Sequence, residues 1–92
     1  MGDRASVTVT ITNELGMHAR PVMAFTDLAA SFSSEVRVAR TDNGQTVDGK
    51  ATMAMLTLML LPGTTICIEA EGEDAPEAVD ALVKLVESSF GE

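Results

Sequence analysis

The sequence has no tryptophan and no tyrosine, and only one cysteine and one histidine among its 92 residues. A single thiol, Cys67, excludes an internal disulfide, and a lone imidazole, His18, excludes a multi-histidine metal site. Disulfide-stapled scaffolds and zinc fingers are therefore ruled out, and no metal or other cofactor is expected. With three phenylalanines as its only aromatic residues, the chain lacks the stacking surface that single-stranded nucleic acid requires. Positive charge is also scarce: six basic residues stand against fourteen acidic ones, for a net charge of −8. Such a surface repels nucleic acid and anionic lipid on average. Long apolar runs are missing as well. The longest, Met53 to Leu61, is interrupted by Thr57 and stopped by Pro62-Gly63, well short of the roughly 18 to 20 residues that span a membrane. Met1 to Ser6 has no charged-then-apolar layout of a secretory signal, so a cytoplasmic protein without membrane insertion is expected.

What is present is the 46% apolar and 22% charged content of an ordinary globular chain, enough for one core and one domain over residues 1–92. Charge is unevenly placed. Residues 1–50 hold six acids and five bases, whereas residues 51–92 hold eight acids and one base. The half that contains His18 is the one an anion can approach.

Ser6 to Thr12 alternates strictly, with Val7, Val9 and Ile11 on one side, and reads as a half-buried strand. Asn13 to Met17 is a short connection. From Ala19 to Phe32 apolar side chains recur at Phe25, Leu28, Ala29 and Phe32, the spacing of one helical face, and Pro21 suits a first turn whose amides have no intrahelical partner. Val36 and Val38 mark a second strand. Asp42-Asn43-Gly44 reads as a hairpin turn, with Gln45 to Asp48 pairing back antiparallel. Residues 51–61 read as a methionine-rich helix closed by Pro62-Gly63, and Thr64 to Glu71 as a fourth strand with Ile66, Ile68 and Ala70 inward and Cys67 and Glu69 outward. Asp74, with Pro76 and Glu77 behind it, reads as the cap of a last helix whose apolar face is Ala78, Leu82, Leu85, Val86 and Phe90. The order β-α-β-β-α-β-α with single-sided alternation predicts an α+β open-faced β-sandwich: one four-stranded antiparallel sheet covered on one face by three helices.

Gly16-Met17-His18-Ala19-Arg20-Pro21 places the only histidine and an arginine at a glycine-entered helix start. The first amides of a helix carry the positive end of its dipole, so an anion there gains roughly 0.3 to 1 kcal/mol, and up to about 2 when partly buried. A phosphate fits such a place. A neutral imidazole is a nucleophile, and a guanidinium two residues on is a fork-shaped donor for a phosphoryl group. A lone histidine at a loop end is ordinarily a solvated or capping group; the combination with glycine, arginine and a helix start is what points to chemistry. No Gly-x-Ser-x-Gly elbow or metal-ligand cluster accompanies His18, which disfavours a hydrolase.

Thr12-Asn13-Glu14-Leu15-Gly16-Met17-His18-Ala19-Arg20-Pro21 resembles the active-site signature of the histidine-containing phosphocarrier (HPr) family of the bacterial sugar phosphotransferase system. The resemblance extends to Gly49-Lys50, Pro62-Gly63 and Glu69 to Asp74, and implies the same open-faced sandwich. It implies that His18 accepts a phosphoryl group on Nδ1 from enzyme I and passes it to an enzyme II A component. Arg20 and the amides of Ala19 and Arg20 would form the phosphate cradle. The protein would be a monomeric carrier and not a turnover enzyme. Ala51 stands where many Gram-positive members have a regulatory serine, so that switch is expected to be absent, and Asp27 and Ala30 stand on a helix-one rim that is often basic in enteric members. The Leu-Gly-Met-His-Ala-Arg-Pro wording is also similar to the nitrogen-related branch, whose acceptor is regulatory. A regulatory binding module of the same fold is the other reading.

Met53, Met55, Leu56, Leu58, Met59, Leu60 and Leu61 exceed what one buried helical face needs, so some are expected at the surface. We read Met55 and Leu58 as core, and Thr52, Met53 and Leu56 as joining Met23 in an adaptable apolar docking patch beside His18.

Overall fold

The computed structural model describes residues 3–12 and 16–91; Asn13, Glu14 and Leu15 of the expected connection lie outside the described residues. Its elements run β1 (Asp3–Thr10), α1 (Ala19–Ala30), β2 (Glu35–Arg40), β3 (Thr46–Asp48), α2 (Thr52–Thr57), β4 (Thr65–Gly72) and α3 (Ala75–Glu87). The strands form one antiparallel sheet in the order β1-β4-β2-β3.

The period-2 pattern sets the faces of this sheet. Val7, Ile68 and Val38 stand side by side across β1, β4 and β2, and Ala5, Ala70 and Val36 do the same one row on. Ile66, Ile68, Ala70, Val36 and Val38 are buried against the helices, each large side chain contributing about 1.5 to 3 kcal/mol. The alternate rows face the other way. There Arg37 meets Glu69 at 2.8 Å, Glu35 at 3.2 Å and Glu71 at 3.4 Å, and Arg4 meets Glu71 at 3.3 Å. The covering layer holds together through Val22, Phe25 and Ala29 of α1 and Ala78, Leu82 and Val86 of α3, all buried in the same core. Helix α3 lies against β1 and β4, while α1 contacts both α2 and α3.

Several boundaries differ from the sequence reading. Strand β1 begins at Asp3 and ends at Thr10, because Asp3 already pairs with Gly72. The hairpin turn is wider than Asp42-Asn43-Gly44: the Arg40 amide donates to the Gln45 carbonyl at 2.9 Å across it. Helix α2 covers only Thr52–Thr57, not residues 51–61. In a helix Leu58 and Leu60 would point about 200° apart. Both are in the core, 1% and 2% exposed, because Met59 between them turns to φ 52° and takes the chain out of the helix. Phe90 lies beyond the end of α3, not on its face; Ser89 and Phe90 adopt positive φ, and that turn brings the ring back onto the core.

Asp74 is the other correction. It sits at the start of α3, but its carboxylate makes no capping bond there. It accepts instead from the amides of Ser33 and Ser34, each at 2.9 Å, and from both serine hydroxyls. The turn after α1 is thereby tied to the end of β4, and Lys50 adds a 2.8 Å bond to the Phe32 carbonyl. Gly72 permits the approach, since a Cβ there would lie 2.5 Å from the Ser34 hydroxyl.

The Ser34 hydroxyl, followed by the Ser33 amide, holds the Asp74 carboxyl down to about 2 from its ordinary 3.8. A depressed folded-state value adds stability above the unfolded value and loses it as pH falls through the folded one. Asp74→Asn should therefore melt lower than the parent at pH 7, and the gap should close between about pH 4 and pH 2; a gap independent of pH in thermal melts would refute the assignment.

Candidate functional site

The start of α1 is built from Gly16 outward. Gly16 adopts φ +69° and lies so close to the segment after α2 that a Cβ would sit 2.5 Å from the Leu60 carbonyl oxygen, 3.0 Å from Leu61 Cα and 3.1 Å from Pro62 Cδ. Only glycine takes both the backbone angle and the contact without strain. Met17 then donates its amide to the same Leu60 carbonyl at 2.8 Å, and its side chain is buried. With Met17 anchored inward, the next residue reaches the rim.

That residue is His18, which is extended (φ −88°, ψ −169°) at the N-cap of α1 and half-buried. Its carbonyl accepts the Val22 amide at 3.0 Å, the first bond of the helix. Its ring does not cap the helix, and its Nε2 is screened from solvent. Ala19 and Arg20, both exposed, follow as the first two helical residues, and Pro21, which has no N–H, is the third. The amides of Ala19 and Arg20 are thus the donors that the helical ladder leaves over at this end. No acidic side chain stands in the first turn to neutralise the positive end of the dipole.

The cations of the protein are distributed in a telling way. Arg4 and Arg37 pair with the carboxylates of the open sheet face, Arg40 with Asp42, and Lys84 with Asp80, while Lys50 donates to the Phe32 carbonyl. Among the described residues Arg20 alone of the six basic side chains has neither an ion pair nor a hydrogen bond. A guanidinium with no partner among the described residues, two positions along the chain from His18, is chemically able to pair with a small dianion.

Of the docking residues expected from the sequence, Met23 lies on α1 and Thr52, Met53 and Leu56 on α2, two helices in contact with each other. A 3.1 Å bond between the Thr26 and Thr52 hydroxyls pins the start of α2 to α1, and Thr26 also donates to the Met23 carbonyl at 3.3 Å. Met23 and Met53 are 54% and 77% exposed, whereas Leu56 is half-buried and packs on the core. Met55 and Leu58 are core, as read from the sequence. Met59 and Leu61, at 70% and 62% exposure, are further exposed apolar residues beyond the four expected in a docking patch. The excess of apolar residues after Thr52 announced that some would be exposed; which ones depended on where the helix stops. Nor did the sequence announce that Gly16 packs on residues 60–62.

A family model described as the PTS HPr component phosphorylation site matches residues 5–88. The chain is 43% identical over 83 residues to the phosphocarrier protein HPr of Cupriavidus necator, covering 90% of this chain and 91% of that one. It is 45% identical over 84 residues to the phosphocarrier protein NPr of Proteus mirabilis, covering 91% and 92%. Among solved structures, an HPr from Thermoanaerobacter tengcongensis superposes with a TM-score of 0.89 at 40% identity, over 96% of this chain and 97% of that one.

Two stability measurements check the geometry. Gly16→Ala should cost about 1 to 2 kcal/mol for the left-handed backbone and roughly 1 to 3 more for the contact with Leu60, read as a lower denaturation midpoint. Arg20→Ala should stay within about 0.5 kcal/mol of the parent, since it removes no partner. A large loss for Arg20→Ala would mean that the side chain is structural.

Proposed function

Because this chain belongs to the HPr family of phosphotransferase-system phosphocarriers, we propose that it relays a phosphoryl group through Nδ1 of His18, from the phosphohistidine of enzyme I to an enzyme II A component. The Nδ1 lone pair attacks phosphorus as the donor's P–N bond breaks, and the donor nitrogen keeps the electron pair. The same step in reverse delivers the group to the acceptor. A phosphohistidine is a high-energy phosphoramidate, so both directions are accessible and the step needs no metal on this protein.

The observation that carries the reading is the unengaged Arg20 guanidinium two residues from His18. In a chain of net charge −8 a surface cation without a carboxylate partner is unusual, and here it stands at the positive end of a helix. Nε2 is screened from solvent, which disfavours it as the transferring nitrogen. The amides of Ala19 and Arg20 would hold the phosphoryl oxygens, with Arg20 adding a charge-assisted bond worth about 1.5 to 3 kcal/mol. Met23, Thr52, Met53 and Leu56 would dock donor and acceptor in turn, methionine suiting a surface that meets several partners. The 45% identity to an NPr supports a second reading of the acceptor, a nitrogen-related regulatory protein in place of a sugar-specific one.

Incubation with enzyme I, magnesium and phosphoenolpyruvate should place an acid-labile, base-stable phosphate on the parent and none on His18→Ala. Equal labelling of the two would overturn the relay. Arg20→Ala should slow transfer in both directions by roughly ten- to a hundredfold, the factor for one lost charge-assisted bond; stopped-flow or quench rates indistinguishable from the parent would remove Arg20 from the site.

A further inference from the structure

Arg40 ends β2, and its side chain is only 19% exposed. Nε and Nη2 grip the Asp42 carboxylate at 2.9 and 2.7 Å, while Nη1 donates to the Leu58 carbonyl at 2.7 Å and the Met59 carbonyl at 3.3 Å. Those two oxygens lie at the C-terminal end of α2, where the helical ladder leaves acceptors unfilled. Chains commonly leave a helix through a left-handed glycine. Met59 makes that turn here at φ 52°, a conformation that persists only where the surroundings hold it. Arg40 is the holder, bonding the carbonyls on both sides of the Met59 amide-to-carbonyl step.

The next carbonyl along the chain is that of Leu60, which accepts the Met17 amide and presses on Gly16. Three consecutive carbonyls therefore run from Arg40 to the residue before His18. We propose that Arg40 is a positioning residue for His18: by fixing the Leu58 and Met59 carbonyls it sets where Leu60 holds Met17, and so where the histidine stands. A lysine could not substitute, because a single ammonium lacks the planar fork that engages Asp42 and the two carbonyls together. The kinetic part of this proposal rests on the phosphoryl relay proposed above; the geometric part does not.

The test uses the whole chain and Arg40→Met, which keeps the aliphatic stem and deletes the donors. Amide hydrogen exchange should accelerate at Met17 by about tenfold more than at Ile68 in the sheet, the factor for one lost charge-assisted bond acting locally. Transfer from phosphorylated enzyme I, measured well below the melting temperature, should lose a similar factor in kcat with KM unchanged. Met17 exchange that merely tracks Ile68 overturns the proposal, because Arg40 would then support the fold as a whole. Faster Met17 exchange with an unaltered kcat also overturns it. If Arg40→Met does not fold, Asp42→Asn loosens the guanidinium while keeping its charge, and the same two readings decide, with smaller factors. A parent protein that takes up no phosphoryl group defeats the relay, and Met17 exchange still decides whether Arg40 sets the segment.

Discussion

The approach of Gly16 to the backbone of residues 60–62 is the contact on which the candidate site depends. It joins the entry of α1 to the exit of α2 through main-chain atoms, with the Met17 amide on the Leu60 carbonyl as its hydrogen bond. Main chain packed on main chain has no rotamers to explore, so it defines position more narrowly than side-chain packing does. Met17 turns inward from this point, and His18 is the first residue that can face outward. The histidine thus owes its place at the rim to a glycine two residues earlier and to a loop more than forty residues later.

The charges tell a complementary story. Exposed ion pairs such as Arg4 with Glu71 and Lys84 with Asp80 contribute only about 0 to 1 kcal/mol each, so their number says little about stability. Their effect is on availability. Arg37 is engaged by three carboxylates of the open sheet face and Arg40 by Asp42 and two carbonyls; the bonds to Glu69 and Glu71 in the first and to Asp42 in the second raise the hold on the proton. The acids that make the chain so negative are spent largely on these partners or stand on α3 and its approach. None enters the first turn of α1, and among the described residues Arg20 pairs with no carboxylate.

The strands and the two long helices were legible because each shows one period and buries one side. Val7 and Val9, Val36 and Val38, and Ile66, Ile68 and Ala70 alternate in the sequence and in the structure alike. The entry of α1 was legible because glycine and proline constrain the backbone locally. Residues 53–61 were not: a stretch apolar at nearly every position carries no phase, so it fits a helix, a strand or a bend equally well. What ends α2 is the burial of both Leu58 and Leu60 and the hold of Arg40 on the turn between them, contacts made by residues distant in sequence. Asp74 failed for the same reason. Its sequence neighbours describe a helix cap, but Ser33 and Ser34, about forty positions away, offer four donors where the cap offers fewer. Local patterns reveal which groups need partners and cannot say which partner wins.

A relay also sets a limit on how tightly its site should bind. A cradle that stabilised the phosphoryl group strongly would trap it, since release to an acceptor must overcome whatever the carrier contributes. In the proposed site the helix end offers about 0.3 to 1 kcal/mol and Arg20 about 1.5 to 3. Against that gain stands the ordering of a long exposed side chain, which costs up to about 2 kcal/mol of rotamer freedom. The net grip is small. An arginine that is free beforehand, and not pre-paired and rigid, is therefore suited to a carrier: it meets the dianion when it arrives and regains its freedom when the group departs. The same reasoning fits the proposed division of labour, in which backbone contacts of Gly16 and Leu60 and the bonds of Arg40 hold the chain behind the histidine while the guanidinium proposed to meet the phosphate is left loose.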